Sequence, residues 1–133
     1  MNRTEERQIA FEIIFSFPFN REIEIEKIID NYCEHEDDIK VTRYIRETVI
    51  GVYNKLAEID ELIKTNIKNR KFERLDNVCL AVLRLGTYEI LFNDEIPTTV
   101  AINEAIELVK KYDDSLSAFV HGNLGIIANK DNE

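Results

Sequence analysis

The chain has 133 residues and a mass of 15.6 kDa, with 44% hydrophobic and 32% charged residues and a formal net charge of −9. At this size folding buries roughly two-thirds of the unfolded surface, so a core forms without a disulfide or metal staple. Four Gly and two Pro leave too little turn chemistry for a β-sandwich or barrel, and no apolar run of about 18 residues is present to span a bilayer.

The expectation is therefore a single all-helical domain over residues 1–133. Ile9, Ile13 and Phe17 recur at spacings of four, with Ala10 and Ile14 beside them, which predicts a first helix over 4–16. Pro18 disfavours helical geometry in the residue before it and ends that helix near Ser16. Asn20 is then expected to cap a second helix, with Glu22 in its first turn and Ile23, Ile25, Ile28 and Ile29 on its apolar side, running to about Cys33. The acidic stretch Glu34-His35-Glu36-Asp37-Asp38 offers Asp37 or Asp38 as the cap of a third helix. From Val41 to Ile63 apolar residues step by threes and fours, which reads as helices over 39–54 and 56–68 with a break near Asn54.

Residues 68–74 form a basic connector without clean periodicity. Residues 78–92 are apolar on nearly every side, the mark of a central rod around which the others pack; Arg84 and Glu89 on it need partners. After Ile96-Pro97, Thr98 or Thr99 is expected to cap a helix carrying Ile102, Ala105, Ile106 and Val109 on one face. A last helix aligns Leu116, Phe119, Val120, Leu124 and Ile127. The isolated glycines Gly51, Gly86, Gly122 and Gly125 read as points where two helices approach closely.

Catalytic chemistry is missing from the pattern. His35 and His121 are the only histidines, with no Ser-His-Asp or Cys-His spacing and no glycine-rich phosphate loop. Cys33-x-His35 lacks the second cluster that zinc requires. The expectation is a non-enzymatic protein with no metal and no cofactor. Cys33 and Cys79 form no disulfide framework, and the N-terminal segment lacks a signal-peptide core, so a cytoplasmic location with reduced thiols is expected.

Binding chemistry is better represented. Residues 1–40 carry −6, residues 41–74 carry +3 and residues 75–133 carry −6, a split that allows phosphates on one patch and a basic protein on the remainder. Arg3 and Arg7 lie four apart on one face of the first helix, where they can meet phosphates, although ordinary surface arginines give the same pattern. Lys110 and Lys111 complement a helix C-terminus and sit a short loop from Ser117, Phe119 and His121. Basic and aromatic groups together are what single-stranded RNA recognition uses, while Phe119 also falls on an apolar stripe and fits a core position.

Tyr88-Glu89-Ile90, Ile96-Pro97 and Val100-Ala101-Ile102-Asn103-Glu104-Ala105-Ile106-Glu107-Leu108 resemble the NusB family of transcription antitermination factors. Leu83-Arg84, Lys110 and Phe119-Val120-His121-Gly122-Asn123-Leu124 match the same pattern. So do Tyr44-x-Arg46, Gly51 and Ile59-Asp60 upstream, and Arg3, Arg7, Ala10 and Phe15 in the first helix. The chain departs from the family in having Arg70 where a Trp is common, Ala118 where a Lys is frequent and His121 where an Asn is usual.

The resemblance implies an all-α fold of about seven helices in two perpendicular helical sub-bundles and no enzymatic activity. It implies pairing with NusE, which is also a small-subunit ribosomal protein, to bind boxA RNA in ribosomal RNA transcripts within an RNA polymerase antitermination complex. The RNA-binding candidates are Arg3, Arg7, Lys110, Lys111, Ser117 and Phe119. Arg84, Glu89, Asn103 and Glu104 are read as architectural, with Asn103 and Glu104 satisfying helix donors or pairing with Arg84. A helical protein–protein adaptor with little RNA affinity is the alternative, and a homodimer stands open.

Overall fold

The computed structural model describes residues 1–35 and 40–131, with the backbone alone at 34 and 35. Seven α-helices occur among the described residues: α1 (Arg3–Phe15), α2 (Ile25–His35), α3 (Arg43–Asn54), α4 (Leu56–Asn66), α5 (Asn77–Phe92), α6 (Thr98–Lys110) and α7 (Ser117–Asp131). Short 3-10 turns at Phe17–Phe19, Phe72–Arg74 and Asp114–Leu116 join them.

The apolar run of α5 does what its composition demands. Ala81 through Thr87 are all buried, and the helix packs against α1, α3, α4, α6 and α7. One group, α1 to α3, lies against its C-terminal half through Tyr44 and Arg7, which both reach Glu89. The other, α4, α6 and α7, completes the bundle around the same rod.

Helix starts follow local chemistry where a short polar side chain is available. Asn2, Thr42 and Asp76 each accept a backbone N–H three residues on, at 2.9, 3.3 and 2.7 Å. Three sequence expectations are corrected here. Asn20 closes the 3-10 turn instead of opening α2: its Nδ2 donates to the Ser16 carbonyl, and its own carbonyl takes the Ile23 N–H. Helix α3 begins at Arg43 under Thr42 rather than at 39; Asp37 and Asp38 lie outside the described residues. Neither Thr98 nor Thr99 caps α6. Pro97 occupies that position in extended geometry (ψ 142°), and its carbonyl accepts the Ala101 N–H at 3.0 Å.

Two glycines mark close helix approaches and two do not. A Cβ on Gly51 would lie 2.3 Å from the Tyr88 ring, and one on Gly86 would lie 2.8 Å from Leu124 Cδ1, which binds α3 and α7 tightly to α5. Around Gly122 and Gly125 a Cβ would meet nothing within 4 Å, so the expectation of close packing fails there.

The charges on α5 find partners on different sides of it. Glu89 is 1% exposed and Arg7 4%. Arg7 Nε and Nη2 donate to the two Glu89 oxygens at 2.8 Å each, Tyr44 Oη adds a third hydrogen bond at 3.1 Å, and Glu104 sits 3.4 Å from Arg7 Nη1. Burial opposes the charge on Arg7, but the Glu89 hydrogen bonds and charge outweigh it, so the guanidinium pKa is raised. Burial, then the charge of Glu89, pushes the Tyr44 phenol up. Arg84 pairs in two-pronged fashion with Asp60 of α4 at 2.8 Å, not with Asn103 or Glu104.

Removing one member of such a pair strands the other charge, so Glu89→Ala is expected to cost about 3–5 kcal/mol in urea unfolding; a loss below about 1 kcal/mol would show the pair to be dispensable. The glycines give an opposed pair of outcomes in the same experiment. Gly125→Ala should stabilise by up to about 1 kcal/mol through helix propensity, while Gly51→Ala should destabilise by about 1–3 kcal/mol through overpacking against Tyr88.

Candidate nucleic-acid interface

The structure separates the six predicted RNA contacts. Arg7 is withdrawn from the surface: its guanidinium is held by Glu89 and Glu104 inside the bundle, so the expected phosphate contact is corrected. The signal was in the sequence, because Arg7 stands at i to Ala10, Phe11 and Ile14 at i+3, i+4 and i+7, on the buried stripe itself. Arg3 remains at the surface, stacked 4.3 Å above the Tyr44 ring and 3.4 Å from Glu6. It lines a cleft of about 460 Å³ together with Arg43, itself paired with Glu47, and with Glu6, Asp94 and Glu95, so that acids outnumber cations there and oppose an anion.

Lys110 and Lys111 end α6, as the dipole favours. Lys110 lies 3.8 Å from Glu107, and Lys111 Nζ donates to Gln8 Oε1 at 3.3 Å, tying α6 to α1. Ser117 opens α7, with its hydroxyl donating to the Asp114 carbonyl at 2.9 Å. Phe119 is half-buried against the core, in the first turn of α7.

The residue that Phe119 meets was not among the predicted contacts. Arg70, on the connector between α4 and α5, holds its guanidinium 4.7 Å from the Phe119 ring centroid. The connector's fold explains why its sequence lacks a helical period. Ile67, Phe72 and Leu75 are half-buried and pack against the core, and between these anchors Lys68, Arg70, Lys71 and Arg74 stay exposed. Asn69 makes the bend at φ 65°, a left-handed geometry that Asn tolerates better than most residues. Residues 64–74 carry five basic side chains and one acid, Glu73, in a chain of net charge −9. That run was the available signal.

Two clefts border this strap. One, of about 620 Å³, is lined by Asn69, Arg70, Lys71, Arg74 and Leu75. The other, of about 170 Å³, lies between α4 and α7 and includes Lys68, Phe119 and Asn123. The strap thus joins a cationic groove to an aromatic recess, the two elements of single-strand binding.

Burial, with Asp76 adding to it, pushes the Cys79 thiol up to about 12, and burial with Asp30 raises that of Cys33. Both thiols are therefore protonated near neutral pH. Among the described residues no group of three or more His, Cys, Asp and Glu could hold a metal ion, and no helix is long and apolar enough to cross a membrane. The side chain of His35, part of the Cys33-x-His35 motif, lies outside the described residues.

Comparison with known proteins gives a consistent result. The model of the NusB family matches residues 4–129. A transcription antitermination protein NusB of Clostridium botulinum (strain Alaska E43 / Type E3) is 42% identical over 134 residues, covering 98% of this chain and all of that protein. The solved structure of T. maritima NusB superposes with a TM-score of 0.85 at 35% identity, covering 98% of this chain and 92% of that one. Antitermination factors NusB and NusE, solved in complex with double-stranded RNA, give a chain with a TM-score of 0.83 at 26% identity, covering 98% of this chain and 99% of that one. Seven helices around one apolar rod, and similarity along nearly the whole length, place the chain in the NusB family of non-enzymatic transcription antitermination proteins.

Proposed function

We propose that residues 1–133 act as one NusB-like unit that binds boxA-type RNA together with NusE, in the cytoplasm, as part of an RNA polymerase antitermination complex. The observation that carries the RNA half is the strap over 68–74, whose exposed cations flank a half-buried aromatic ring already stacked with Arg70. A solved relative that holds RNA and NusE together supports the same reading. Ser117, two residues before Phe119 on α7, adds a polar contact near the ring, and Lys110 and Lys111 at the end of α6 add cations, with Lys111 held by Gln8 of α1. Arg3 contributes at most a peripheral phosphate contact, given the acids around it.

A protein partner has a separate surface available. Phe19 and Tyr112, 65% and 46% exposed, stand at the two ends of a row of rings 5.2–6.1 Å apart that runs through the half-buried Phe15 and the buried Phe11. Exposed aromatic rings on a chain whose two ends are each −6 suit a basic ribosomal protein with apolar contact residues.

The test is fluorescence anisotropy of a labelled boxA-like RNA, with and without NusE, at several salt concentrations. Wild-type binding should tighten with NusE and weaken with salt. Replacing Arg70 and Lys71 together by Gln removes two phosphate neighbours at exposed positions and should flatten the log–log salt slope by about 1.4. An unchanged slope would remove the strap from the interface. Association with NusE without any RNA affinity would leave the protein–protein adaptor as the function.

A further inference from the structure

Asn123 has a position that neither helix packing nor the strap's charge explains. It lies on the buried face of α7 beside Val120, Leu124 and Ile127, and is 4% exposed. Neither its Nδ2 nor its Oδ1 has a hydrogen-bond partner in the protein. An apolar residue would fill this place at no polar cost, so an unpaired amide there calls for a ligand or a solvent molecule to meet it.

The surroundings favour a ligand of particular shape. Asn123 lines the cleft of about 170 Å³ together with Phe119, one turn earlier on the same face, and with Gly122, Lys68 and Asn66. This is smaller than a site for a drug-sized molecule and suits one compact planar group. The cleft wall is bare at Gly122, where a Cβ would meet nothing within 4 Å. Asn66 has its Nδ2 engaged, donating to the Leu62 carbonyl at 2.7 Å, whereas neither polar atom of the Asn123 amide is bonded. Phe119 supplies a stacking face, and Lys68 and Arg70 stand ready for the phosphates on either side.

We propose that this recess between α4 and α7 is a nucleobase subsite, in which one unstacked base of the bound RNA packs on Phe119 and hydrogen-bonds to the Asn123 amide. The inference rests on the RNA-binding reading and adds to it a point of base recognition. An amide presents a donor beside an acceptor, which matches the paired donor and acceptor on a base edge, as at N6 and N7 of adenine. The amide atoms each expose less than 1 Å² and the Arg70 guanidinium lies over the Phe119 ring, so entry requires Arg70 to swing off that face and Phe119 and Lys68 to shift at the mouth; Arg70 and Lys68 are exposed and Phe119 only half-buried.

The experiment is an abasic scan: boxA-like RNAs each lacking one base are bound to the protein with NusE and read by anisotropy. Wild type should lose about tenfold or more in affinity at one position, with smaller effects at its neighbours. Asn123→Leu removes the amide and Gly122→Leu fills the recess from the open side. Gly122→Leu should reduce that positional penalty to the level of the neighbouring positions, and Asn123→Leu should reduce it in part, by the hydrogen bonds it removes, both keeping the salt slope, with thermal melting confirming the fold. A flat scan in wild type with RNA still bound salt-dependently would overturn the subsite and leave the RNA-binding reading intact, the amide then being merely hydrated. A positional penalty that both variants retain would also overturn it, and loss of all RNA binding in wild type would overturn both readings.

Discussion

The Arg7–Glu89 pair is the constraint on which the rest of the molecule depends. A carboxylate 1% exposed is tolerable only when it is paired and hydrogen-bonded, and here two Arg7 donors and the Tyr44 hydroxyl do both. Those donors come from α1 and α3, so satisfying one side chain of α5 fixes the position of both helices against it. Arg84, five residues earlier and roughly 140° around the helix, does the same for α4 through Asp60. Apolar contacts supply the driving force for the bundle, but they are indifferent to rotation of a rod that is greasy on all sides. The two ion pairs are not.

Much of this architecture is readable from the order of residues. The breaks at Pro18, near Asn54 and at Ile96-Pro97, and the all-round apolarity of 78–92, follow from backbone geometry and period alone. So does the need of Arg84 and Glu89 for partners. Which partners they take is not readable, because it depends on how helices distant in sequence cross: Glu104 turned out to face Arg7, and Asp60 to face Arg84. Helix starts were the least legible, since Asn20 can cap a helix or close a turn with the same side chain, and the choice is made by the Ser16 carbonyl next to it.

The candidate interface shows the same division. An arginine four residues from Arg3 shares its face, which points Arg7 at phosphates; yet that face continues into Ala10, Phe11 and Ile14, and the core claims it. Phe119 fits both a core position and a contact in the sequence, and its half-buried ring packs against the core with the Arg70 guanidinium over it. The strap was visible as charge but not as structure, because three anchors spaced five and three apart fit neither a helical nor a strand period. A net charge of −9 also hides it: the whole-chain total conceals five basic side chains and one acid between residues 64 and 74.

Anchoring by Ile67, Phe72 and Leu75 has an entropic consequence. A basic tail that orders only when RNA arrives gives up conformational freedom at that moment, and its affinity is lowered accordingly. Here that ordering is completed during folding, so the cations are held in register before any encounter and less freedom is lost on association. The reverse side of this arrangement is a dependence at a distance. Any change that loosens the seat of the strap on α4 or α5 reduces the fraction of molecules ready to bind, and weakens apparent affinity by that fraction without touching a single charge.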